Sequence, residues 1–342
     1  MSKKNRIITF GEIMLRLTPP EYNTIEGARS FLANYGGGEA NVAVSLSKFG
    51  HNAYFLSRLP KNQLGDGAIK HLRGYGVNTD YVDRGGTNIG IYFLEPGFGG
   101  RPSKVLYNRK YSAITSIYSE KFDYDEIFSK AKWFHFSGIT LALGENVRSV
   151  LFDTLEAAKK HNVYVSFDCN FRSKLWENTE EAAPYFQKVA PYVDLFFASP
   201  FDAEKLFGIK RNQELPESEQ EEQLLQDLLK TYNGDKVFGT KREIFSATDN
   251  ALSAYCYQAN KAYYAAPIRF NIYDRIGGGD AFAAGVIHGL LKTNMKDLFY
   301  ALNFGLSASV LKHTIWGDAL NLEEEDILNF MNSKEGRVIR WL

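Results

Sequence analysis

The chain has 342 residues, 44% apolar and 23% charged, enough for one large α/β domain with an appendage or for two domains. Its 40 basic and 40 acidic residues cancel, which removes any broad electrostatic case for nucleic acid or an anionic membrane as partner. Two cysteines, Cys169 and Cys256, exclude a disulfide framework and a cysteine-built zinc site.

The basic start is followed by too short an apolar stretch for a secretory signal, and the longest mostly apolar run, Ala281–Leu291, is too short to span a bilayer. The expected setting is therefore the cytoplasm. Arg6–Phe10 reads as a strand. Glu39–Phe49 has Val42, Leu46 and Phe49 at helical spacing and Gly50 as a stop. Ala53–Ser57 is strand-like and Asp66–Tyr75 helical. Trp133–Phe136 and Val163–Asp168 flank a helical Asn146–His161. Asp194–Ala198 and Lys236–Thr240 repeat the strand signal, with helical Asp202–Phe207 and Glu221–Tyr232 between them. Gly279–Leu291, Met295–Lys312 and Glu323–Met331 close the chain as helices, the last with Asn321 and Glu324 spaced as a capping box. The acidic stretch Glu214–Asp227 reads as a solvated helix face. Strands alternating with helices predict a doubly wound, mostly parallel sheet covered on both faces. Two regions break the rhythm. Ile13–Phe31 is extended, and Asn88–Leu94 with Lys104–Tyr111 flank a Gly/Pro turn as a hairpin would. Segments 12–35 and 88–115 are thus expected to form a small β lid inserted in a single domain spanning 1–342.

Several chemistries are missing. No Gly-Lys dipeptide occurs, so there is no P-loop, and no complete G-x-G-x-x-G, G-x-S-x-G, H-E-x-x-H or C-x-x-C is present. What stands out is Asp274-Arg-Ile-Gly-Gly-Gly-Asp280 opening a strongly helical stretch. Glycines let backbone amides approach a ligand, and a helix N-terminus favours anions. An aspartate beside such a nest suits a base that takes a proton from an attacking hydroxyl while amides stabilise a transferring phosphoryl group. By spacing alone, Asp280 serves equally well as a helix cap. A second glycine run, Gly36-Gly37-Gly38, precedes Glu39, Ala40 and Asn41, whose amide can meet a polyol or simply accompany a helix entry. Asp168, Asn170 and Arg172 follow a strand, as do Ser199 and Thr240, and ligands of open α/β sheets sit at such strand ends.

The paired motifs resemble those of the ribokinase-like (PfkB) sugar kinases, in the right order over nearly the whole chain. Gly36–Asn41 with Gly50 is similar to that family's first signature, and Asp274–Gly285 to its second. The resemblance implies Asp280 as catalytic base, Gly277, Gly278 and Gly279 as anion hole, ATP and Mg²⁺ as co-substrates, and a small lid over the sugar, often shared across a dimer. Within the family, Gly11-Glu-Ile-Met14, Gly90-Ile-Tyr-Phe-Leu94, Tyr107-Asn-Arg109, Asp168–Arg172 and Gly317-Asp318 look most like segments of 2-keto-3-deoxygluconate kinases. That likeness implies Gly37, Tyr92, Tyr107, Arg109, Asn170, Arg172 and Asp318 at the sugar acid, and Ser199, Thr240 and Asn303 at the nucleotide. It also implies Asp274 near a monovalent cation such as K⁺. Departures from the family pattern are Arg275, Gly278, the Ser199/Asp202 pair and Thr240-Lys-Arg-Glu-Ile-Phe, which bear on the adenine pocket and the metal.

Arginines match a carboxylate better than a neutral sugar. Tyr107 and Arg109 stand two apart on one predicted strand, facing the same way. Arg109 or Arg172 is expected to hold the acid, with Arg172 equally suited to ATP phosphates. The expected reaction is ATP-dependent phosphorylation of 2-keto-3-deoxy-D-gluconate to its 6-phosphate. Fructokinase or another PfkB-type sugar or nucleoside kinase is the alternative in class, and a non-catalytic sugar-acid sensor the one outside it. Exposed lid edges predict a homodimer or larger assembly.

Overall fold

Ile7 and Ile8 are adjacent in sequence but belong to different cores, because successive side chains of a strand point to opposite faces. Both faces of the main sheet are covered in this way. The computed structural model describes residues 5–259 and 261–333; Met1–Lys4 at the basic start lie outside them. The strands are β1 (Arg6–Phe10), β2 (Met14–Thr18), β3 (Leu32–Gly36), β4 (Asn52–Leu59), β5 (Val82–Arg84), β6 (Ile91–Glu95), β7 (Lys104–Asn108), β8 (Ala131–Ser137), β9 (Tyr164–Asp168), β10 (Leu195–Phe197), β11 (Lys236–Ile244), β12 (Asp249–Gln258) and β13 (Lys261–Asn271). The helices are α1 (Gly38–Lys48), α2 (Gln63–Gly74), α3 (Tyr124–Ser129), α4 (Gly138–Ala142), α5 (Glu145–Lys160), α6 (Thr179–Val189), α7 (Pro200–Lys205), α8 (Glu217–Tyr232), α9 (Gly278–Lys292), α10 (Leu298–Lys312) and α11 (Glu324–Ser333).

A nine-stranded sheet runs β13-β12-β11-β10-β9-β8-β1-β4-β5. It is parallel from β5 to β11 and antiparallel across β11, β12 and β13. Buried residues of α1, α2, α9, α10 and α11 cover one face; those of α3 to α8 cover the other. The small sheet, β3-β2-β6-β7, is built from the two segments expected to form the lid.

Several elements differ from what the sequence predicts. The β12–β13 hairpin and β5 were not anticipated. Pro267 masks β13 as a strand; it is tolerated on this edge strand, beside the point where the register slips between Leu252 and Ala254. The unanticipated α6 contains Pro184 and is started by Asn178, whose side chain accepts the Glu181 amide at 2.8 Å. The helix expected from Met295 begins at Leu298, with Asp297 capping the Tyr300 amide, and Met295 itself has φ of 64°. The capping box expected from Asn321 and Glu324 is displaced: Asp326 accepts from the Glu323 amide at 2.9 Å, while Glu324 pairs with Lys292. The acidic face of α8 is exposed as expected, but Leu224, Leu225, Leu228 and Leu229 bury its other side.

Candidate active site

Strand β1 lies between β4 and β8, where the chain direction across the sheet reverses, and a crevice opens at the carboxyl ends of the strands there. A cleft of about 490 Å³ occupies this place, roofed by β6 and β7 of the small sheet. Two helix N-termini enter it. The first is that of α1. Gly37 packs so tightly that a Cβ would collide with the Glu12 carbonyl, and its amide donates to Asn41 Oδ1 at 3.3 Å. The second is that of α9, capped by Gly277 with φ of 83°, where any Cβ would strike the Asp318 carbonyl. Asn41 Nδ2 donates to Asp280 Oδ2 at 2.7 Å and so ties the two glycine motifs together. Sequence spacing could not show that bond, because 239 residues separate the partners.

Asp280 therefore sits in the first turn of α9 beside Gly279, an exposed residue. Burial pushes its carboxyl up to about 7, and Glu39 adds to the rise; the Asn41 bond and Arg172 pull the other way. Asp168 is pushed up to about 8 by burial and by the negative charge of Asp280. Glu39 is buried and raised by burial, with its Oε1 accepting from Ser137 Oγ at 2.6 Å and Thr140 Oγ1 at 2.7 Å. A carboxyl poised near neutrality beside a nest of amides can accept a proton while the amides and helix dipole hold an anion.

The remaining expected sugar contacts, Tyr92, Tyr107, Arg109, Asn170, Arg172 and Asp318, also line the cleft. Their partners differ from a simple reading of the sequence. Arg109 is ion-paired with Glu12, which also accepts from Ser112 Oγ at 2.5 Å, and both members of the pair are buried. Arg172 is exposed, and its one hydrogen bond, at 3.5 Å, goes to the Phe171 carbonyl. Asp318 accepts from Tyr92 and from Arg16 Nη1 at 2.8 Å. Burial, followed by the Asp318 charge, raises the Tyr92 phenol, which stays protonated. Asp274, expected beside a monovalent cation, pairs with Arg16 Nη2 at 2.7 Å and accepts the Gly317 and Ile276 amides at 3.0 and 3.1 Å.

The three expected nucleotide contacts are not among the residues lining this cleft. Ser199 closes a capping box with Asp202 at the start of α7, Thr240 is exposed on β11 opposite Ala254, and Asn303 returns its amide to the Phe299 carbonyl. Glu12, Arg16, Glu39, Lys312 and His313 were missed. Arg16 had one signal, a charge inside the apolar alternation Met14-Leu15-Arg16-Leu17. Lys312 and His313 had none: they close α10, and only folding brings His313 against Gly278 and Lys312 toward Gly277. Burial lowers the Lys312 ammonium, and Asp274 opposes the shift.

Residues 4–323 match the pfkB family carbohydrate kinase description. A 2-dehydro-3-deoxygluconokinase crystal structure from Thermotoga maritima superposes with a TM-score of 0.91 at 42% identity, covering 96% of this chain and 98% of that one. A 2-dehydro-3-deoxygalactonokinase of Haloferax volcanii is 30% identical over 98% of this chain and 99% of its own length. A 5-dehydro-2-deoxygluconokinase of Clostridium tetani is 27% identical, covering 89% and 86%. The ribokinase-like α/β architecture expected from the sequence is the one found. No helix among the described residues is long and apolar enough to cross a membrane.

Proposed function

The chain belongs to the pfkB family of carbohydrate kinases and is an ATP-dependent sugar kinase, and from that premise we propose that it phosphorylates 2-keto-3-deoxy-D-gluconate at its distal hydroxyl, giving the 6-phosphate. The observation that carries the substrate reading is Arg172. Among the described residues it forms no ion pair, whereas Arg109, which lines the same cleft, is already neutralised by Glu12, and Arg275, the other arginine of the lining without an ion pair, stands two residues before the glycine run at Gly277. A sugar acid supplies the missing charge, whereas a neutral ketose leaves it unmet.

In this reading the acid end lies toward Arg172 and Tyr107, and the distal hydroxyl meets Asp280. Asp280 takes the hydroxyl proton as the oxygen bonds to the γ-phosphorus and the bond to the β-phosphate oxygen breaks, releasing ADP. Amides at Gly277, Gly278 and Gly279 meet the charge on the transferring phosphoryl group. Mg²⁺ supplies further neutralisation of the phosphates. Asp168, held protonated by burial and by Asp280, is the carboxyl that a cation would ionise and hold. The small sheet acts as the lid of a domain spanning the chain, with segments 12–35 and 88–115 as its pieces.

The test is a coupled assay over 2-keto-3-deoxygluconate, its galactonate epimer, 5-keto-2-deoxygluconate and fructose. We expect the 2-keto-3-deoxy acids to exceed fructose in kcat/KM by at least a hundredfold; a preference for fructose would overturn the substrate reading. A pH series follows from the same geometry. An acid raised to about 7 is deprotonated, and competent as base, only above that value. The kcat/KM for sugar should rise through an ionisation near pH 7. Asn41→Ala, which removes the bond favouring the carboxylate, should move that limb to higher pH. A profile flat from pH 5 to 9 would remove Asp280 as the titrating base.

Assembly follows from the small sheet. Strands β3 and β7 are its two edges, and Leu32 on β3 and Leu106 on β7 are 48% and 57% exposed. Such edges are normally covered, and a second copy's lid can cover them. Light scattering at micromolar concentration should show a dimer or larger; a monomer would contradict the pairing of lids.

A further inference from the structure

Every buried or half-buried arginine among the described residues except Arg242 has a carboxylate partner. The paired ones are Arg6, Arg16, Arg58, Arg84, Arg101, Arg109, Arg148 and Arg211. Arg242, half-buried on β11, donates instead to neutral groups: Nη1 to Asn250 Oδ1 at 3.0 Å and Nη2 to His313 Nε2 at 2.9 Å. The imidazole is fixed in the accepting tautomer, since its Nδ1 faces the Ser309 carbonyl at 2.6 Å. Its ring lies against the backbone of Gly278, where a Cβ would collide with it. Arg242 is therefore anchored one side chain away from the anion hole.

A second cation without a carboxylate stands close by. Arg275 is exposed, follows Asp274, and lines the cleft together with Gly277, Gly278, Gly279 and Asp280. The two guanidinium groups are near enough to act on each other: Arg242 is lowered to about 10, by burial first and by the Arg275 charge second. Two arginines without an ion pair among the described residues thus flank one stretch of backbone, Arg242 through His313 against Gly278 and Arg275 three residues before that glycine, and Arg242 is partly desolvated. That arrangement costs stability unless an anion completes it.

We propose that Arg242 and Arg275 form a clamp for the terminal phosphates of the nucleotide donor, gripping the polyphosphate on the β11 side of the anion hole. Such a clamp presupposes an ATP-dependent kinase and is independent of which sugar the enzyme accepts. Planar guanidinium forks suit phosphate oxygens, and two of them can share a di- or triphosphate as neither can share a neutral ligand. Two departures from the family pattern, Arg275 after Asp274 and Arg242 in the segment after Thr240, then have one role between them. Arg242 also donates to the imidazole that packs under Gly278, which links its position to the anion hole.

The experiment measures binding by calorimetry, without sugar, using ADP and inorganic tripolyphosphate as probes, alongside steady-state kinetics. Arg275→Met alters an exposed side chain and should leave the fold intact. It should weaken tripolyphosphate and ADP about tenfold to a hundredfold, the range for one charge-assisted hydrogen bond, and raise KM for ATP while KM for sugar stays within twofold. Arg242→Met should do the same. Should it fail to fold, Arg242→Lys keeps the charge, loses the fork, and should fall between wild type and Arg275→Met. The salt dependence of tripolyphosphate binding should weaken in the two methionine variants, which lose a charge, and persist in Arg242→Lys. Wild-type affinity for tripolyphosphate in Arg275→Met would overturn the clamp. So would an equal loss of sugar affinity. Because the binding arm contains no sugar, a wrong substrate assignment leaves its outcome unchanged.

Discussion

Replacing Asp280 with asparagine should lower kcat by about 10²–10⁴ while KM for sugar changes little, the range for loss of a general base. Asparagine keeps the size of the side chain and its place at the entry of α9, and its amide oxygen can still accept from Asn41 Nδ2. What it removes is the group that receives the hydroxyl proton. A stability measurement separates chemistry from folding. The Asp280 carboxyl is raised in the folded protein to about 7 from an ordinary value of 3.8, by burial first and with Glu39 contributing. Between those values the folded state binds more protons than the unfolded one, so this group's contribution to stability falls as pH rises through the interval. The variant carries no such cost. Its Tm at pH 8 should equal or exceed that of the wild type, and the difference should shrink toward pH 5. Turnover like that of the wild type would remove Asp280 from the mechanism. A large loss of Tm at pH 8 would make the loss of activity structural.

Arg172→Leu should reduce kcat/KM for 2-keto-3-deoxygluconate by about 1.5–3 kcal/mol, roughly tenfold to a hundredfold, the range for a hydrogen bond to a charged group. A neutral ketose should change by less than threefold. The exposure of Arg172 in the open cleft places the expected loss at that figure, below the larger one for a fully desolvated pair. Arg109→Leu should behave differently, and the structure changes what the sequence leads one to expect of it. Its guanidinium neutralises Glu12, with both side chains buried, so the variant strands a buried carboxylate. Breaking such a pair costs about 3–5 kcal/mol of stability, so acid and neutral sugars should suffer alike. If Arg172→Leu also impairs fructose and the sugar acid equally, recognition of the carboxylate lies elsewhere in the cleft. If instead it raises KM for ATP alone, Arg172 serves the phosphates.

The sequence by itself determined the parts that depend on local order. Strand and helix alternation from Arg6 to Glu323, the two glycine runs and the acid after the second one are all set by neighbours in the chain. Hydrophobic periodicity and backbone freedom are read over a few residues. The lid segments were legible for the same reason, since their extended character and Gly/Pro turn are local. The β12–β13 hairpin was not, because Pro267 and a slipped register hide a strand whose existence depends on pairing with β11. Tertiary structure alone decided which charges are spent. Arg16 and Asp318 are 302 residues apart and Arg109 and Glu12 97 apart, yet each pair is buried and neutralised. Arg172, Arg242 and Arg275 look no different in the sequence and form no ion pair among the described residues. Charge pairing depends on distance through space, falling off over a few ångströms, and a linear sequence carries no such distance until the sheet has brought its strand ends together.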